Sequence, residues 1–87
     1  MIDSDPITLY TRTGCPDSPR VRDWLVERGV AFMERDVTGD LDAATALYRT
    51  GTFATPLLVA GETRVLGFRP VEIEAALGCH GADTVAP

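Results

Sequence analysis

Ile7-Thr8-Leu9-Tyr10-Thr11-Arg12-Thr13-Gly14-Cys15-Pro16-Asp17-Ser18 is the stretch that decides the fold. Its first five residues alternate β-branched and apolar side chains and read as a strand. Beyond it, Val21, Trp24, Leu25 and Arg28 stand at i, i+3, i+4 and i+7, so the apolar members line one face of a helix over 17–28. Cys15 falls at the junction. Free N–H groups and the positive end of the helix dipole favour an anion there, so a thiol at that place is biased toward thiolate. A two-cysteine redox motif needs C-x-x-C, and here the fourth position is Ser18.

Working outward, Gly29 closes the first helix as a C′ residue would, and Val30 to Val37 reads as a second strand. Gly39-Asp40 is a turn, and Leu41, Ala44, Leu47 and Tyr48 outline a second amphipathic helix. Leu57 to Ala60 is a buried strand, Gly61-Glu62 a tight hairpin, and Thr63 to Leu66 the returning partner. Pro70 suits position N1 of a last helix carrying Val71, Ile73, Ala76 and Leu77, which Gly78 ends. The order is β-α-β-α-β-β-α. The first β-α-β unit requires parallel pairing and the last two strands pair antiparallel. One α/β domain over 1–78, a mixed four-stranded sheet flanked by three helices on a thioredoxin-like plan, accounts for every segment, and 79–87 is expected to be a flexible C-terminal tail.

The 87-residue length leaves room for one core, and the net charge of −5 argues against nucleic acid and anionic membrane as partners. Met1 to Pro6 has no basic stretch followed by an apolar one, and no apolar run approaches the ~18 residues of a membrane span, so a cytoplasmic protein is expected. Two cysteines in such a reducing compartment are free thiols rather than a structural staple.

Three landmarks in this order resemble the glutaredoxin family, and within it the NrdH-type redoxins. Thr11-Arg12-Thr13-Gly14-Cys15-Pro16 after a strand is similar to the family's active-site segment. Thr55-Pro56, with Pro56 41 residues after Cys15, occupies the place of its cis-proline loop. Gly67-Phe68-Arg69-Pro70 is similar to the G-F-R-P segment of NrdH-type redoxins. The resemblance implies thiol–disulfide exchange with Cys15 as nucleophile. It also implies a disulfide-bearing protein or small thiol as substrate, and a thioredoxin reductase or ribonucleotide reductase as partner. The departures are specific. Ser18 replaces the second cysteine, Arg69 stands where glutathione-binding members carry an acidic residue, and Pro16-Asp17 replaces the Gly-Phe of the C-G-F-S cluster-binding members.

The candidate catalytic residues are therefore Cys15 and Ser18, and the candidate substrate- or thiol-binding residues are Arg12, Pro16, Thr55, Pro56, Gly67 and Phe68. Arg12, Arg20 and Arg22 are positioned in sequence to lower the Cys15 pKa, and Asp17 to raise it. Two helix starts fit: Cys15 as N-cap with Pro19 at N4, or Ser18 as N-cap with Pro19 at N1. Ser18 cannot resolve a mixed disulfide, since a hydroxyl at neutral pH is no match for a thiolate, but it can donate a hydrogen bond to the Cys15 sulfur. Cys79 lies beyond a last helix about 12 Å long, whereas a disulfide needs Cα atoms within ~7 Å, so it is read as incidental. The adjacent His80 makes no metal site with it alone. Trp24 and Tyr48 are assigned to the core.

A monothiol oxidoreductase with no tightly bound cofactor, released by a low-molecular-weight thiol such as glutathione, is the leading reading. Its alternatives are a non-catalytic thioredoxin-fold binding module and a thiol-assisted iron–sulfur cluster-binding dimer. Neither metal ligands nor a resident cofactor are assigned to any residue.

Overall fold

A computed structural model describes residues 7–78. The elements run β1 (Thr8–Thr11), α1 (Ser18–Glu27), β2 (Met33–Asp36), α2 (Leu41–Arg49), β3 (Leu57–Ala60), β4 (Thr63–Leu66) and α3 (Pro70–Leu77). The expected segment 79–87, with Cys79 and His80, lies outside the described residues, as do residues 1–6.

The sheet order is β2-β1-β3-β4, with β1 and β2 parallel and the other neighbours antiparallel. β1 is interior, and every residue from Leu9 to Thr11 is buried. Successive side chains on a strand point to opposite faces, so a strand covered on both sides reads as continuously apolar. That is why Leu57-Leu58-Val59-Ala60 carries no polar residue. Leu9, Leu58, Ala60 and Val65 meet Val21 and Leu25 of α1 and Ile73 and Ala76 of α3. Tyr10 and Leu57 turn the other way, onto Ala43 and Leu47 of α2 and onto Val37. Two thin cores on either side of one sheet result.

β2 begins three residues later than the run Val30 to Val37 suggests. The Val30 N–H bonds to the Leu25 carbonyl at 3.1 Å and that of Gly29 to Val26 at 3.0 Å, the pair of bonds of a Schellman motif. Gly29 sits at φ +71°, a conformation that costs glycine nothing. Val30 thus still belongs to the end of α1. The ladder opens only where the Met33 N–H reaches the Ile7 carbonyl.

α2 starts on Asp40, whose carboxylate accepts the Ala43 N–H at 3.0 Å. An aspartate there also faces the positive end of the helix dipole. Asp40→Ala is expected to lower stability by about 0.5–2 kcal/mol, read as a reduced urea midpoint at unchanged slope.

Candidate functional site

The loop between β1 and α1 carries Cys15 to the C-terminal edge of the sheet. Its Cys15 N–H bonds back to the Arg12 carbonyl at 3.0 Å, making a tight turn in which Gly14 takes φ +89°. α1 begins between the two expected starts, its N-cap two residues after Cys15 and one before Ser18. Its N-cap is Asp17, with no side-chain cap, and Pro19 falls in the first turn, where its missing N–H leaves no bond unmade. Ser18 is therefore inside the helix rather than capping it. Only 2% exposed, it turns its hydroxyl to accept the Arg12 N–H at 3.4 Å.

The Cys15 thiol is held below its ordinary pKa. The largest cause is the nearby Ser18 hydroxyl, which favours the thiolate; partial burial pushes the other way. The Thr55 hydroxyl and the backbone N–H groups of Asp17 and Ser18 add to the lowering. The arginines expected to do this are engaged elsewhere. Arg12 donates to the Phe53 carbonyl at 3.0 Å, Arg20 pairs with Asp17 at 3.4 Å, and Arg22 pairs with Glu34 at 3.0 Å. None of these three arginines contributes to the shift, and the Asp17 carboxylate, turned to Arg20, does not oppose it. Stabilisation of the thiolate here is by hydrogen-bond donors, not by cations.

Across from Cys15 lies the loop before β3. The Thr55–Pro56 peptide is cis, and the Cys15 thiol donates to the Thr55 carbonyl at 3.5 Å. The Pro56 carbonyl accepts the Gly67 N–H at 2.8 Å, so Gly67 at the end of β4 is tied to the same loop. Cys15, Ser18, Thr55, Pro56 and Gly67 are thus linked in one array, with Arg12 joined through its backbone N–H. Phe68 is not part of it. Its half-buried ring packs on the α1/α3 core and lies under the Arg20 guanidinium, 5.4 Å from the ring centre. Pro16 lines the other side of the thiol with Arg12, Thr13, Arg22, Glu34 and Asp36, around a groove of about 400 Å³.

Sequence reading passed over two features of this site. Thr13 is bound by both Asp36 and Thr38 at the end of β2. The parallel register pairs Thr11 with Asp36, and that pairing was the available signal. Tyr48, expected in the core, is 60% exposed and stacks on Phe53, ring centres 4.7 Å apart. Its place in the apolar spacing of α2 concealed that the Arg12-bound loop offers it a partner outside the core.

A thiol of lowered pKa just before the N-cap of α1, facing a cis-proline loop on a mixed four-stranded sheet, is the arrangement of thioredoxin-fold thiol–disulfide redox proteins. The glutaredoxin family pattern matches residues 7–65. The glutaredoxin-like protein NrdH of Escherichia coli K12 is 34% identical over 64 residues, covering 74% of this chain and 79% of that one. The gene 56 protein of Mycobacterium phage L5 is 29% identical over 79 residues, covering 88% and 77%. The solved structure of the NrdH-redoxin from Escherichia coli superposes with a TM-score of 0.72 at 32% identity, covering 82% of this chain and 93% of that one. The chain belongs to the glutaredoxin family and is NrdH-like within it. Among the described residues, no helix is long and apolar enough to cross a membrane.

Proposed function

We propose that this protein is a monothiol thiol–disulfide oxidoreductase working through Cys15. The observation that carries the reading is the Cys15 thiol just ahead of α1, 3.5 Å from the Thr55 carbonyl of the cis-proline loop and held below its ordinary pKa chiefly by the Ser18 hydroxyl. The Cys15 thiolate attacks one sulfur of a substrate disulfide; a new S–S bond forms as the old one breaks, and the other sulfur leaves as thiolate. Ser18 has no sulfur to continue the exchange. An external low-molecular-weight thiol, glutathione being the candidate, attacks the substrate sulfur, frees the Cys15 thiolate and remains joined to the product. Arg12, Pro16, Thr55, Pro56 and Gly67 border the space in which the substrate would lie, with the Thr55 backbone suited to pair with an extended peptide. Phe68 supports this rim from the core side. We propose, from the NrdH-type resemblance, a ribonucleotide reductase or thioredoxin reductase kind of protein as partner, and a cytoplasmic setting.

The pH dependence of iodoacetamide alkylation tests this, in a Cys79→Ser background where Cys15 alone reacts. The thiolate form should persist below the ~8.5 of an ordinary thiol. Ser18→Ala should move the midpoint upward and slow the reaction at pH 6 on the order of tenfold, as expected for losing a hydrogen bond to a charged group. A parent midpoint at the ordinary value, unmoved by Ser18→Ala, would leave Cys15 an unactivated thiol and end the proposal.

A further inference from the structure

The loop that carries Cys15 is tied down on the side away from the cis-proline. The Thr13 hydroxyl donates to Asp36 Oδ2 at 2.8 Å, and the Thr13 N–H donates to Thr38 Oγ1 at 2.9 Å. The Thr38 N–H in turn donates to Asp36 Oδ1 at 2.8 Å. One carboxylate at the end of β2 therefore closes a ring of three hydrogen bonds around Thr13. The Thr13 N–H shares its peptide unit with the Arg12 carbonyl that accepts the Cys15 N–H, and one Cα earlier the Arg12 N–H donates to Ser18 Oγ. Bonds run from Asp36 to Thr13 and from Arg12 to Ser18, whose hydroxyl is the largest influence lowering the Cys15 pKa.

The geometry points to Asp36 as a positioning residue for the nucleophile. It fixes the 12–14 loop at the place where the Ser18 hydroxyl, occupied as acceptor by the Arg12 N–H, has its proton free for the Cys15 sulfur. This inference rests on the thiolate reading above. Free rotation of a hydroxyl costs it directional preference, and an acceptor bond on the far side restores it. The Asp36 carboxyl lies below the usual carboxylate range, chiefly because of the Thr38 N–H and then the Thr13 hydroxyl. Such a group is ionised throughout the pH range in which a thiol titrates, so it supplies a constant anchor rather than a second titration. Its stabilising effect is present above the ordinary carboxylate pKa and is lost only as pH falls through the lowered one. The other charged groups lining the groove beside Cys15 are Arg12, Arg22 and Glu34, and Asp17 is paired with Arg20 on α1.

The sign of the effect separates positioning from simple charge. Removing a carboxylate near a thiol favours the thiolate and would lower the alkylation midpoint. Loosening the loop withdraws the Ser18 proton and raises it. Iodoacetamide, a neutral probe, reads the midpoint in the Cys79→Ser background for Asp36→Ala, Asp36→Asn, Thr13→Val and the control Asp40→Ala. Asp36→Ala should raise the midpoint and slow the reaction at pH 6 by about threefold, part of the effect of losing the Ser18 bond itself. Asp36→Asn keeps one acceptor oxygen and should fall between it and the parent, while Thr13→Val should act in the same direction and add little when combined with Asp36→Ala. Asp40→Ala should lower stability and leave the midpoint in place. An unchanged or lowered midpoint in both Asp36 variants, with the parent midpoint depressed, overturns the positioning role and spares the proposed function. A parent midpoint at the ordinary thiol value removes both.

Discussion

Ser18→Cys is expected to release the mixed disulfide at Cys15 without any added thiol, and at least ~100-fold faster than the parent at limiting external thiol, since an intramolecular nucleophile acts at a high effective concentration. The reason lies in what the Ser18 side chain touches. Its hydroxyl is the largest influence lowering the Cys15 pKa, which puts it near the sulfur, so a thiol grown from the same Cβ begins beside the atom it must attack. A serine oxygen at neutral pH is almost wholly protonated and forms no bond to sulfur, so the parent waits for a thiol from solution. The added cysteine would bond to the Cys15 sulfur as the Cys15–substrate bond breaks, and the substrate sulfur would leave as thiolate. The measurement is the lifetime of a mixed disulfide formed with a chromogenic disulfide, followed with and without glutathione in a Cys79→Ser background. Equal lifetimes in parent and Ser18→Cys would mean that position 18 does not reach the sulfur, and the monothiol scheme would lose its geometric basis. Ser18→Cys also places a second thiol where the Arg12 N–H needs an acceptor. Sulfur accepts weakly, so some stability is expected to be lost along with the gain in resolution.

Much of this architecture is legible in the sequence because each element is bounded by a residue with one physical role. Gly29, Gly61 and Pro70 mark the end of α1, the hairpin and the start of α3, and all three stand where glycine or proline chemistry requires them. The Thr55–Pro56 loop and its approach to Cys15 follow from family register rather than from periodicity, because nothing local distinguishes a cis proline from one that opens a strand. What local reading could not supply is where long side chains go. Arg12, Arg20 and Arg22 all lie near Cys15 along the chain, yet each finds a nearer partner in space: a carbonyl at Phe53, a carboxylate at Asp17, a carboxylate at Glu34. An exposed arginine has many rotamers and takes whatever acceptor is in reach. The hydroxyl of Ser18 has one short arm and almost no choice. Short polar side chains at a fixed backbone position are therefore the more legible part of this site, and Thr13 with Asp36 follows the same logic once the β1/β2 register is known.

Leu58→Ala is expected to lower stability by about 2–5 kcal/mol, a large share of the ~5–15 kcal/mol typical of a whole domain. Leu58 is 1% exposed at the centre of β3, paired with Leu9 on one side and Val65 on the other. All three belong to the face covered by α1 and α3. The strands cannot close the gap, because their spacing is set by the hydrogen bonds of the ladder, and the helices are held by other contacts on the same face. A cavity therefore persists, and its cost adds to the lost transfer free energy. The same truncation at Leu41, 80% exposed in the first turn of α2, should change stability by less than about 0.5 kcal/mol. Urea unfolding of both variants checks the contrast, and a Leu58→Ala loss no larger than that of Leu41→Ala would contradict the packing described above. The consequence reaches the site. α1 carries Ser18 at its first turn and rests on this face through Val21 and Leu25, so a softened core should loosen the donors around Cys15 before the whole fold unfolds. In Leu58→Ala, alkylation of Cys15 at pH 6 should therefore become slower well below the unfolding temperature, whereas truncation of Leu57, on the α2 face, should destabilise the fold with less effect on the thiol.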